Sequence, residues 1–128
     1  MENLKPKIFI YSTDVDFCNS ISLLFQTKYT TEYSSILVND SNKNFDLLII
    51  DVPVTEDHNL MKVIKEIKTK KPDVKILLLY VYRIHNNGAE KSYREFSDIL
   101  LYKPIDVEQL AMAVDKLIFQ KKIESSQE

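Results

Sequence analysis

"FDLLIID", residues 45–51, is an apolar run of strand length closed by an acid. From Leu47 to Ile50 no polar residue interrupts it. A strand with one wet face alternates apolar and polar residues. An unbroken run belongs to a strand covered on both faces, the habit of parallel sheets. Asp51 then stands where the strand leaves the core. The same kind of run recurs in KIFIY (7–11), VKILLLYV (74–81) and ILLY (99–102), and TEYSSILV (31–38) reads as a further, more polar strand.

Between these runs the apolar period changes to that of helices. Phe17, Ile21, Leu24 and Phe25 make one helical face, with Asp14 or Asp16 available as N-cap. Leu60, Val63, Ile64 and Ile67 make a second, with lysines at 62, 65, 68, 70 and 71 and Pro72 as a stop. Those lysines read as a solvated face. A short helix is expected around Ala89 to Phe96. The last helix carries Val107, Leu110, Ala111, Val114, Leu117 and Ile118 on one face, capped by Asp106, with Gln109 at the capping-box position. The residues NDSNKN leave room for about one helical turn after the second strand. The tail KKIESSQE reads as polar and frayed, so residues 1–120 are expected to form the domain and 121–128 a tail or the start of a linker.

Composition narrows the function. The chain has 128 residues, a formal net charge of -2 and a single glycine, Gly88. Glycine-rich loops that bring backbone against phosphate are therefore excluded, as is a nucleophile elbow. The charge argues against general nucleic-acid binding. Cys18 has no intramolecular partner and falls beside an apolar stripe, a place for filler rather than a redox sensor. His58 and His85 lack a second ligand at metal spacing. No secretory or membrane-spanning run is present, and a cytoplasmic protein is expected.

Strands that alternate with helices give an α/β (βα)5 fold, a doubly wound parallel five-stranded sheet. Ligands of such sheets bind beyond the carboxyl ends of the strands. The residues there are Ser12, Thr13, Asp51, Tyr80 and Lys103. Together with "STDVDF" (12–17) and "ILLYKPIDVEQL" (99–110), "FDLLIID" makes residues 7–118 resemble a receiver domain of a two-component response regulator, with the flavodoxin-like, CheY-like fold. The resemblance implies that Asp51 holds the phosphoacceptor position and Lys103 the conserved-type lysine before proline. It further implies a second helix shortened to a loop, and Mg²⁺ as the usual cofactor.

The departures from the family pattern bear on chemistry. Ser12 and Thr13 replace the acid pair that helps hold the metal. Tyr80 replaces the small hydroxyl of the fourth strand, Leu100 the switch aromatic of the fifth, and Thr55 a proline four residues after the acceptor. With one carboxylate and one ammonium the pocket sums to about zero charge, and hydroxyls are poor ligands for a hard cation. Asp51 is then expected to pair with Lys103, Asp14 and Asp16 to serve as caps, and Tyr80 to pack first and to crowd the phosphoryl position. No cofactor is expected, and Mg²⁺ belongs only to the alternative reading.

The leading expectation is a non-enzymatic signalling module in a phosphorelay. It would dock a histidine kinase or output protein, or itself, through the family's fourth helix, fifth strand and fifth helix, with Arg94, Asp98 and Asp115 as contacts. The alternative is a working phosphoacceptor switch at Asp51. A flavodoxin-like enzyme or small-ligand binder has the least support, because neither a glycine-rich loop nor a nucleophile–base pair is present.

Overall fold

The computed structural model describes residues 5–37, 44–53, 58–81 and 89–126. Five parallel strands form one sheet: β1 (Lys7–Tyr11), β2 (Thr30–Ser34), β3 (Leu47–Asp51), β4 (Lys75–Tyr80) and β5 (Ile99–Tyr102), in the order β2-β1-β3-β4-β5. Four helices flank it: α1 (Val15–Phe25), α2 (His58–Lys70), α3 (Ala89–Glu95) and α4 (Val107–Ser126). The chain reverses its direction of winding between β1 and β3, and in sheets of this kind ligands bind beyond the strand ends at such a reversal. The expected shortened second helix, Thr55 and His85 fall outside the described residues.

Strand alternation divides the core into two layers. Ile8, Ile10, Leu47, Ile49, Leu77 and Leu79 face α1 and α4, meeting Cys18, Ile21, Phe25, Leu110, Val114 and Leu117. Phe9, Tyr11, Leu48, Ile50, Ile76, Leu78 and Tyr80 face α2 and α3, meeting Leu60, Ile64, Ile67 and Tyr93. The three central strands are thus apolar on both sides because helices cover both sides. Each fully buried Leu or Ile contributes about 1.5–3 kcal/mol of transfer free energy.

Caps and turns follow their chemistry. Asp14, not Asp16, caps α1, its Oδ1 accepting from the Phe17 amide at 3.1 Å. Asp106 Oδ1 accepts from the amides of Glu108 (2.8 Å) and Gln109 (3.2 Å) at the start of α4. The Lys103–Pro104 peptide bond is cis.

Three expectations change. Strand β2 ends at Ser34 rather than reaching Val38, and its middle residues are largely exposed, as suits an edge. The lysines of α2, and Lys71 just after it, are not only a wet face. Lys65 lies over the Phe96 ring (5.2 Å), Lys71 over the Phe45 ring (5.0 Å), and Lys68 reaches Asp98 at 3.3 Å. Most consequentially, the expected tail from residue 121 is helix as far as Ser126. Lys121 Nζ meets Asp46 Oδ1 at 2.6 Å, and Lys75 Nζ, on a residue only 9% exposed, meets Glu124 Oε1 at 2.8 Å. These long-range partners tie the end of α4 to the sheet.

Candidate functional site

Backbone bonds at the carboxyl edge of the sheet set the site. The amide of Ser12 donates to Ser34 O (3.1 Å), that of Val52 to Leu79 O (3.0 Å) and that of Lys103 to Tyr80 O (2.8 Å). The ends of β1, β3 and β5 are thereby held in register around Asp51.

The Ser12 hydroxyl donates to Asp51 Oδ2 at 2.7 Å and accepts from the Asp14 amide at 3.0 Å. Ser12 is 2% exposed. A serine that accepts from the amide two residues on closes a tight local turn. The remaining hydroxyl proton is thereby aimed at the carboxylate. Lys103 Nζ forms an ion pair with Asp51 Oδ1. Among the described residues no donor makes a directional hydrogen bond to that oxygen, so the contact with Lys103 is one of charge. Both oxygens of the carboxylate are engaged by the chain's own groups.

Three of the expected pocket residues therefore converge: Ser12, Asp51 and Lys103. Thr13 does not join them, being exposed two residues past the strand. Tyr80 packs, the first role expected of it. It is 5% exposed and its ring packs on Tyr93, centroids 5.6 Å apart, within the α2–α3 layer. Leu100 is partly buried against that same layer. The serine turn was the feature that sequence reading missed, and its signal was the Ser12–Asp14 spacing.

Nearby, Cys18 is buried, with its thiol 3.9 Å from Ser12 O. Burial pushes the thiol's pKa up, and the Asp14 and Asp51 charges add to this against the lowering effect of its contact with Ser12. A thiol so placed stays protonated and is a packing group.

The donor set does not fit the magnesium ion that the resemblance implies. Mg²⁺ requires a compact set of hard, charged oxygens to repay its dehydration. Asp51 is the one carboxylate on the Ser12–Lys103 pair, and it is already neutralised. Asp14 spends its Oδ1 on the α1 cap. Among the described residues no three of His, Cys, Asp and Glu converge.

The three residues expected to form an interface are engaged within the chain. Asp98 Oδ2 accepts from the Ile76 amide at 2.7 Å and from Lys68. Asp115 takes Lys28 at 3.1 Å and the Tyr29 hydroxyl at 2.5 Å. Arg94 contacts the Tyr102 hydroxyl, lies over its ring at 5.5 Å, and pairs with Glu90 at 3.9 Å. The Tyr102 hydroxyl in turn bonds Glu90.

No protein-family model matches the chain, and none of the curated proteins matches it. Solved structures do. A CheY-like response regulator receiver domain protein from Methanospirillum hungatei JF-1 superposes with a TM-score of 0.77 at 16% identity, over 95% of this chain and 99% of that one. The response regulator TrrA of Thermotoga maritima, solved with Mg²⁺ and BeF, gives 0.71 at 22% identity, over 88% and 98%. A chain from Rhodopirellula baltica named adenylate cyclase gives 0.78 at 14% identity, over 97% and 95%. The fold is that of CheY-like receiver domains.

Proposed function

We propose that this chain is a degenerate receiver domain of two-component signalling, cytoplasmic and non-enzymatic. It works by protein–protein interaction without magnesium-dependent phosphorylation of Asp51. The observation that carries the reading is the Ser12 hydroxyl on Asp51 Oδ2 at 2.7 Å, in the place where a metal-holding acid would stand. With Lys103 on the other oxygen, the carboxylate is stabilised as it is. A resting charge so compensated is a weaker nucleophile toward phosphorus.

Receivers switch because a phosphoryl group binds one arrangement of the strand ends better than the other. Here the hydroxyl that would follow the phosphoryl group is replaced by Tyr80, which lies in the core, and the aromatic by Leu100. Little differential affinity is left to move a population. The partner would be a histidine kinase or an output protein. The alternative, a phosphoacceptor switch, draws on the retained Asp51–Lys103 pair.

The test is beryllofluoride or acetyl phosphate with Mg²⁺, read by two-dimensional amide NMR and size-exclusion chromatography. The expected result is an unchanged spectrum and elution volume. Shifts spreading from Asp51 through residues 89–110 would overturn the reading in favour of the switch.

A further inference from the structure

The amino edge of the sheet, opposite Ser12 and Asp51, holds a pocket of about 390 Å³. Ligands of such folds bind at the other edge, so the fold does not account for it. Segments from separate parts of the chain wall it: Asn44–Asp46 before β3, Lys70–Val74 at the turn from α2 to β4, and Lys121 near the end of α4. Its size falls in the range of about 300–1,000 Å³ that small-molecule sites occupy. Backbone bonds fix the walls. The Asp46 amide donates to Lys7 O (2.8 Å), the Lys75 amide to Asp46 O (3.1 Å) and the Val74 amide to Lys71 O (3.1 Å). Lys68 Nζ ties the same turn through Val74 O at 2.9 Å, and Lys121 ties α4 to Asp46. A site held in this way costs little ordering when it fills.

Charge gives the pocket a preference. Lys70, Lys71 and Lys121 line it, with Asp46 and Asp73. Asp46 is spent: Lys121 and the Lys7 amide take its two oxygens, and Lys122 acts on it as a further positive charge. Among the described residues Lys70 has no ion pair or hydrogen bond, Glu66 one turn before it included. The neighbouring pairs Lys68–Asp98 and Lys75–Glu124 cancel. Asp73 opposes an anion, and the carboxyl end of α2 subtracts about half a charge. The balance stays positive, in a chain whose net charge is -2. Phe45, Pro72 and Val74 supply apolar wall beside the lysines. We propose that this pocket binds a small phosphorylated organic molecule, its phosphate on Lys70 and Lys71 and its organic part against Phe45 and Pro72. An ammonium has three protons to donate, and Lys121 keeps two after its bond to Asp46. A bare anion would leave the apolar wall uncovered, and a neutral ligand would leave the lysines unanswered. The concave form suits a compact ligand better than an extended acidic peptide.

Two-dimensional amide NMR of the full chain without Mg²⁺, titrated with phenyl phosphate to about 20 mM, reads the site. Saturable shifts confined to residues 44–46, 70–74 and 121–122 are expected, with a Kd of about 1 mM. Inorganic phosphate, which lacks the ring, and phenyl sulfate, which lacks the second charge, should each bind more weakly by about threefold or more. Lys70→Glu should weaken phenyl phosphate about tenfold, and Asp73→Asn should tighten it about threefold. Both residues are exposed, and an unchanged amide spectrum away from the pocket checks that each variant is folded. Failure to saturate, shifts centred on Ser12, Asp51 and Lys103 instead, or indifference to Lys70→Glu overturns the proposal. Equal affinity for inorganic phosphate overturns the organic part of it. Tighter binding of a glutamate-rich peptide than of phenyl phosphate also overturns it, in favour of an acidic protein partner. The shifts fall at the opposite edge from Asp51, so the result is independent of the beryllofluoride test.

Discussion

The hydroxyl of Ser12 lies 2.7 Å from Oδ2 of Asp51 and donates to it. A neutral donor therefore stands where a second carboxylate would have raised the negative charge of the pocket. The bond fixes the carboxylate's orientation and removes one of the lone pairs that a cation would use.

The chain is expected to show no saturable Mg²⁺ binding at millimolar concentration. Calorimetry checks this, and a sub-millimolar dissociation constant would contradict it. Ser12→Asp with Thr13→Asp should gain measurable affinity. Ser12→Asp should supply most of that gain, since Ser12 touches Asp51 and Thr13 is exposed.

Asp51→Ala leaves Lys103, 28% exposed at the side chain, without its partner, and leaves the Ser12 hydroxyl without an acceptor. The expected loss is about 1–3 kcal/mol, seen as a lower urea midpoint. An unchanged or raised midpoint would show that the carboxylate is kept for chemistry at some cost to the fold.

Acid should loosen the end of α4. Burial alone would raise the Asp46 carboxyl, but hydrogen bonds from Lys121 and from the Lys7 amide outweigh it and hold the group below the usual carboxylate range. A carboxylate with a depressed folded pKa adds stability that is complete above its unfolded pKa, about 4, and is lost as pH falls through the folded value. Urea midpoints should fall below about pH 4, and less steeply in Asp46→Asn.

Tyr29→Phe should cost about 1–2 kcal/mol, because the phenol is 8% exposed and donates to Asp115 at 2.5 Å. Burial first, then the Asp115 hydrogen bond and charge, push the Tyr29 pKa upward. Alkaline titration followed at the phenolate absorbance should therefore lose a late-titrating tyrosine in the variant.

The sheet was readable because each central strand is apolar on both faces, a local property of Leu47–Ile50 and Ile76–Leu79. Asp51, Ser12 and Lys103 were readable because strand ends map onto one edge. Tyr80 was readable as a packed aromatic at its strand end. Its parity with Ile76 and Leu78 sends the ring into the α2–α3 layer. The fates of Asp98, Asp115 and Lys121 had no local signal. Their partners Ile76, Tyr29 and Asp46 lie 22, 86 and 75 residues away in the chain, and only the folded packing brings them together.

Because α4 starts just after the Lys103 turn and ends on Asp46 and Lys75, it spans the full height of the sheet, about 30 Å for a helix of 20 residues. It behaves as a brace fixed at both poles. The amides of its last two turns should exchange with solvent in the same cooperative opening as those of β3 and β4, rather than by independent fraying. A chain shortened to residue 120 would leave the buried Lys75 without Glu124 and Asp46 without Lys121, keeping only the Lys7 amide on Asp46. It would then unfold from the pole opposite Ser12 and Asp51.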